Sequence, residues 1–379
     1  LVDEAHRSNA SALHANLMAS LPNAVRVGFT GTPIIMGQKK KTREVFGTYI
    51  DTYTLTESEA DGSTVPILYE GRTTDADIKG ASRMDEVFFR WFSDLTDDQR
   101  KTLQDKYATV GQVLEAPEMI AAKATDMLRH YVSTVMPDGF KGIIVATSRE
   151  AAVRYYDALT TARDELVAAV EESIDVIMAT AAGDVGSLLG EDRFLYDAWK
   201  RLDLIRALDF APVISGDHND PASYLEWTDK SKQDDRIKRF KKRLGHDGDK
   251  HDPLAILIVK SMLLTGFDAP NAQVLYLDRL IQQAELLQAI ARVNRTASKK
   301  SYGLIVDYYG VSAHLAEALA AYTSDDGILD PDVEGALRPL TDEIERLQPQ
   351  SDRVRQLFVQ RGVQPDPTED AIEACVQLL

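Results

Sequence analysis

Three observations predict a doubly wound α/β fold with parallel sheets for this 379-residue chain. Short, continuously apolar runs recur along it. Segments with apolar residues three and four apart, the helical period, lie between most of these runs. The composition, 44% hydrophobic and 27% charged, supplies enough apolar material for two or three packed domains. Runs that are apolar throughout fit strands covered on both faces, which is the parallel-sheet arrangement.

In chain order, Leu1 and Val2 read as the end of a buried strand, 8–20 as a helix and 25–29 as the next strand. Further strands are predicted at 143–146, 213–214, 254–259, 274–277 and 304–306. Helices are predicted at 118–136, 149–162, 233–244 and 284–295. The polar, helix-prone stretches 75–117 and 164–210 interrupt the alternation and read as insertions. After Gly310 the pattern is wholly helical and acidic, punctuated by Pro331, Pro339, Pro349, Pro365 and Pro367.

Composition also excludes some classes. The single cysteine, Cys375, forbids an intrachain disulfide and fits a reducing, cytoplasmic compartment. The longest apolar stretch, 254–264, is broken by Lys260 and Ser261 and falls short of the roughly 20 residues of a membrane helix. No secretion signal precedes Leu1, and a start at Leu rather than Met reads as a cut within a longer protein. A net charge of −17 argues against a surface that binds nucleic acid everywhere, so DNA contact has to be local. Local basic clusters occur at 39–43, 236–243 and 292–300.

Asp3, Glu4, Ala5 and His6 follow an apolar strand directly. An Asp at a strand's C-terminal end can hold Mg²⁺ through water while the adjacent Glu orients or deprotonates an attacking water, the arrangement nucleotide hydrolysis requires. Gly28-Phe29-Thr30-Gly31-Thr32-Pro33 follows the next strand as a hydroxyl-rich loop. Gln288, Arg292 and Arg295, spaced i, i+4, i+7, share one helix face and can present two guanidiniums to a γ-phosphate of ATP. Leu264-Thr265-Gly266-Phe267-Asp268-Ala269-Pro270 and the run 142–148 (GIIVATS) each follow or end a strand. Taken alone, the bland readings are a charged helix start for 3–6, a tight turn for 28–33 and a solvated basic face for 288–295. Their order along the chain favours the functional one.

These five elements resemble motifs II to VI of superfamily 2 nucleic-acid motors. The longer segments 45–72, 138–159, MLLTGFDAP, LLQAIARVNR and GLIVDYYG resemble the R subunit of type I restriction enzymes, from residue 1 to about 310. The resemblance implies two RecA-like lobes that hydrolyse ATP with Mg²⁺ and step along double-stranded DNA. It also implies docking on the methyltransferase and specificity subunits. The expected division is residues 1–72 as the C-terminal part of lobe 1, 73–117 as an insertion, 118–310 as lobe 2 and 311–379 as a helical region.

Residue by residue, Asp3, Glu4, Arg292 and Arg295 are the expected catalytic groups, with Asp3 the Mg²⁺ contact through water. His6, Thr30, Gly31, Thr32, Gly266, Asp268 and Gln288 are expected to bind or couple to ATP. Thr147, Ser148, Arg149, Lys260 and Thr265 are expected to meet DNA; Lys260 stands where many superfamily 2 proteins carry a backbone-contacting Thr.

The chain departs from the family pattern by containing no Gly-Lys dipeptide, and so no phosphate-cradling loop, and by lacking the family's nuclease motif. The expectation is that residues 1–379 alone hydrolyse little ATP. The alternatives are another superfamily 2 helicase or remodeller, or a non-catalytic scaffold for the methyltransferase core. The run His246, Asp247, Asp249, His251 and Asp252 reads as a solvated acidic loop rather than a metal site. The aromatic residues Phe88, Phe89, Trp91 and Phe92 read as packing.

Overall fold

The computed structural model describes residues 55–72, 115–181, 185–264, 266–281, 283–309 and 337–339, with shorter pieces between residues 1 and 53. Its centre is a seven-stranded sheet. In chain order the elements that build it are helix α1 (Leu55–Ala60), strand β1 (Ile67–Gly71), helix α2 (Pro117–His130), strand β2 (Lys141–Val145) and helix α3 (Arg149–Ala181). Helices α4 (Gly190–Trp199) and α5 (Leu202–Ala207) lead to strand β3 (Asp209–Val213). The short helix α6 (Leu225–Thr228) and helix α7 (Lys230–Lys241) follow, then a two-residue pair β4 (Arg243–Leu244) and β5 (His251–Asp252). Strands β6 (Leu254–Val259) and β7 (Ala272–Leu277), helix α8 (Gln283–Val293), strand β8 (Gly303–Asp307) and strand β9 (Leu337–Pro339) complete the described chain.

The sheet order is β3-β6-β2-β7-β8-β1-β9, and every strand pair in it is parallel. Period-two alternation divides its side chains between two cores. Ile144, Ile256, Ile258, Val274 and Tyr276 pack on one face with α2 and α3. Ile143, Val145, Leu257, Val259 and Leu275 pack on the other with Phe240 of α7 and Leu286, Ala289 and Ile290 of α8. Both faces are therefore covered, which is why these strands read as unbroken apolar runs. The predicted doubly wound α/β class is the observed one.

The structure differs from the sequence reading in several places. Helix α3 does not stop at 162 but runs 33 residues to Ala181. No Gly or Pro interrupts it, and Leu166, Val170, Ile177 and Ala181 continue its buried stripe where α4 and α5 pack against it. Strand β3 begins at Asp209 rather than at Val213. Helix α2 ends at His130 and passes through a π turn at Tyr131–Val135 and a 3-10 turn at Met136–Asp138.

Strand β1, assigned from sequence to the first lobe, pairs with β8 at Ile67↔Gly303 through Gly71↔Asp307. Strand β9 interrupts the region read as wholly helical and pairs with β1. Three residues are too few for periodicity to reveal a strand. Val25 and Phe29, expected in a buried strand, are exposed. The aromatic group 88–92 and Cys375 lie outside the described residues. Among the described residues no helix is long and apolar enough to cross a membrane.

Candidate nucleotide and nucleic-acid site

In a parallel sheet the loops that carry function leave the C-terminal strand ends. Here the loop after β2 carries Ala146, Thr147 and Ser148 into Arg149 at the start of α3. The loop after β6 carries Lys260 and crosses back along one face of the sheet through Leu264, Phe267 and Asp268. Two left-handed residues, Leu263 (φ 66°) and Gly266 (φ 70°), bend that loop.

Helix α8 lies on the same face and meets this loop through Arg292, and Arg295 just beyond its end meets it too. Arg292 is buried. Its Nε donates to the carbonyls of Leu264 at 3.0 Å and Gln288 at 3.2 Å, and its Nη1 donates to the carbonyl of Phe267. It is an internal staple between the loop and the helix. Arg295, two residues past the end of α8, is 42% exposed and its Nη1 lies 2.5 Å from Asp268 Oδ1. The single i, i+4, i+7 helix face predicted from sequence is not observed: α8 ends at Val293, so Gln288 and Arg292 turn inward from the helix while Arg295 lies beyond it, in a β-bridge with Thr64, and reaches solvent.

The backbone beneath Arg295 is fixed from two directions. Val65 N donates to Asn294 O at 2.8 Å, and Thr64 forms an antiparallel bridge with Arg295. From the other side Gly303 approaches the end of α8 so closely that a Cβ there would sit 2.3 Å from Val293 O. Neither Thr64 nor Gly303 carried a signal in the sequence, because both act through backbone proximity.

At the first motif, Val2 and Gly28 form a parallel bridge: Val2 N donates to Val27 O at 2.9 Å and Phe29 N to Val2 O at 2.8 Å. Asp3 is exposed at the end of this pair, while Ala5 is fully buried against Gly28. Glu4, His6, Thr30, Gly31, Thr32 and Thr265 lie outside the described residues.

The residues expected to meet DNA are placed unequally. Lys260 is exposed at the C-terminal end of β6. Ser148 Oγ accepts from Ala151 N at 3.0 Å and so caps α3. Thr147 Oγ1 is buried without a hydrogen-bond partner among the described residues. The Arg149 guanidinium grips the Asp220 carboxylate and donates to Ser215 O at 2.6 Å, and this partner holds the Asp220 carboxyl below the ordinary carboxylate range.

The basic helix read at 233–244 is observed as α7, with Asp229 accepting from Lys232 N at 2.9 Å as its N-cap. Two of its arginines have internal partners, Arg236 on Glu226 and Arg239 on Asp209 and Asp252. Its N-terminal half reaches the C-terminal end of β3, where Gln233 donates to Ile214 O. Its C-terminal end lies at the opposite edge, where Asn271, just before β7, donates to the carbonyls of Phe240 and Lys242. Lys238, Lys241, Lys242 and Arg243 are thus removed from the loops that carry Ser148 and Lys260. In the acidic loop after α7, Asp252 is held by Arg239 and Leu254 N.

Comparison with known proteins places the chain beside type I restriction enzyme subunits. Residues 1–101 match the SWI2/SNF2 ATPase family, and residues 138–310 match type I restriction enzyme subunit R domain 3. The type I restriction enzyme HindI endonuclease subunit of Haemophilus influenzae is 30% identical over 365 residues, covering 90% of this chain and 30% of that protein. The putative type I restriction enzyme MjaIXP endonuclease subunit of Methanocaldococcus jannaschii is 27% identical over 330 residues, covering 86% of this chain and 27% of that protein. The chain thus spans less than a third of the length of these two relatives. A fragment structure of a putative HsdR subunit of a type I restriction enzyme from Vibrio vulnificus YJ016 superposes with a TM-score of 0.46 at 17% identity, covering 84% of this chain and 45% of that one. The resemblance to the R subunit of type I restriction enzymes holds through the domain 3 match and these relatives, and residues 1–101 match the wider SWI2/SNF2 ATPase family.

Proposed function

We propose that this chain is the motor part of a type I restriction R subunit, which in the intact protein couples ATP hydrolysis to translocation of double-stranded DNA. The observation that supports this best is the closure of the 264–268 loop onto α8. Buried Arg292 locks the two together, and Arg295 stands exposed beside Asp268.

A guanidinium held in this way fits a phosphate. Its side chain is half-exposed, its backbone is fixed, and its present partner is a solvent-exposed carboxylate that an incoming anion can displace. In this reading Arg295 meets the γ-phosphate of ATP and stabilises the charge that develops in the transition state. Gly266 and Asp268 shape the same surface with Gln288 buried beneath it, and His6, Thr30, Gly31 and Thr32 would link it to the first lobe. Asp3 would hold Mg²⁺ through water, and Glu4 would orient the attacking water. The metal, when bound, neutralises charge on the phosphates.

DNA would pass the C-terminal strand ends near Lys260 and Ser148. Contact there is to the backbone and therefore independent of sequence, and site recognition would belong to the partner specificity subunit. Cytoplasmic location and assembly with the methyltransferase follow from the same reading. The test uses the intact protein assembled with its partner subunits on linear duplex DNA. DNA-stimulated phosphate release with displacement of a downstream triplex strand is expected. Assembly with the methyltransferase but no DNA-stimulated turnover would replace the motor by a scaffold.

A further inference from the structure

Residues 64–72 are bonded to the rest of the seven-stranded sheet and its flanking helices at both ends. At the start, Val65 N donates to Asn294 O and Gly303 N donates to Pro66 O, each at 2.8 Å, and Thr64 bridges Arg295. This start is continuous with α1, because Ser63 N and Thr64 N both donate to Ser58 O, at 2.9 and 3.2 Å. At the far end, Arg72 N donates to Asp307 O at 2.8 Å. The Arg72 guanidinium lies 3.0 Å from Asp126 of α2 and 2.7 Å from Glu70. Tyr308 Oη donates to the same Asp126 at 2.5 Å, and His130 Nε2 lies 3.4 Å from Glu70.

Such a clamp exceeds what sheet pairing needs. Strand β1 already has β8 on one side and β9 on the other, yet Arg72, the residue just after it, is also tied to α2, an element of the second lobe some 50 positions further along the chain. Burial opposes charge on Glu70, but the hydrogen bond from His130 and the charge of Arg72 hold its carboxyl below the ordinary range. The clamp is therefore ionic at neutral pH. Among the described residues, α1 and Thr64 run directly into this segment, which meets the second lobe at the backbone of Arg295, so residues 1–63 lead into that contact along the chain.

We infer that residues 64–72 form a rigid coupling strap that delivers displacement of the first lobe to the backbone of Arg295, with Arg72, Asp126 and Tyr308 as the groups that keep the strap stiff. This rests on the motor reading. Loosening the clamp leaves Arg295 held by α8 and by Asp268, so hydrolysis continues. What is lost is transmission between hydrolysis and lobe displacement.

The experiment measures base pairs translocated per ATP in the intact protein with its partner subunits, from triplex-displacement times and phosphate release. Arg72→Ala and the milder Tyr308→Phe are expected to keep DNA-stimulated turnover within about threefold, while base pairs moved per ATP fall roughly threefold to tenfold. Arg72→Lys, which keeps the charge, is expected to recover part of the loss. An unchanged ratio, or a parallel fall in both rates with a lowered melting temperature, would overturn the strap. Absence of DNA-stimulated turnover in the unaltered protein would instead count against the motor reading on which the strap depends.

Discussion

Arg295 Nη1 sits 2.5 Å from Asp268 Oδ1 at the surface, two residues beyond the end of α8, whereas the guanidinium of Arg292 within α8 is buried on backbone carbonyls. Two arginines that are equivalent by spacing thus have different work. Arg295→Ala in the intact protein is expected to lower ATP turnover by roughly 10³-fold or more, with melting temperature and DNA affinity little changed. Lys at this position recovers little, because a point charge lacks the planar fork. Arg292→Ala is expected to lower both turnover and melting temperature, since it leaves the Leu264 and Phe267 carbonyls without this donor. Near-normal turnover in Arg295→Ala would remove the ATP site from this face.

Lys123 Nζ lies 2.5 Å from Asp278 Oδ1 in the core, and Tyr155 Oη donates to Asp278 Oδ2 at 2.6 Å. Burial pushes the Asp278 carboxyl above its ordinary range against the pull of Lys123 and the tyrosine hydrogen bond. Lys123→Met strands that carboxylate and is expected to cost about 3–5 kcal/mol. The double substitution Lys123→Met with Asp278→Leu is expected to recover most of the loss in denaturant titration. Equal destabilisation by the single and double variants would show that the pair is not what stabilises this region.

Lys141, the first residue of β2, is fully buried, with its Nζ 3.2 Å from Arg239 O. Burial lowers its amino group to about 7, with Asp252 opposing this and Arg239 and Lys242 adding to it. The folded value lies below the unfolded one, so the unfolded chain binds more protons between about pH 7 and 10. This group's contribution to stability therefore grows as pH rises through that window and is absent below it. Lys141→Met is expected to raise the melting temperature at pH 7 by about 2–5 °C and to flatten the rise toward pH 10. Arg239 O keeps its hydrogen bond from Lys242 N, so no acceptor is stranded. A melting temperature lowered at every pH would refute the assignment.

Lys260 and the Lys238, Lys241 and Lys242 group lie at opposite edges of the sheet. With DNA at the C-terminal strand ends, Lys260→Gln is expected to reduce the slope of log affinity against log salt by about one unit. Gln at Lys238, Lys241 and Lys242 together is expected to leave it unchanged, because these lysines complement the carbonyl end of α7. The reverse result would move the DNA to the other edge.

The sequence by itself determined the α/β class, the central buried strands β2, β6, β7 and β8, and the order of the motifs. Apolar runs and helical spacing report burial, and burial in a two-faced parallel sheet is nearly a local property of each run. It also singled out Arg292, Arg295 and Asp268 as residue types suited to phosphate chemistry. Only the tertiary structure decided which of them is free to act. The partner of a charged side chain is a long-range fact: Arg292 finds carbonyls 25 and 28 residues away, and Arg149 finds Asp220 71 residues away. The same holds for strand β1, whose five residues lie about 236 positions from their β8 partners. The sequence predicts no strand there, because its half-buried residues give no apolar run to read, so both its existence and its neighbours are settled by packing that no local pattern encodes.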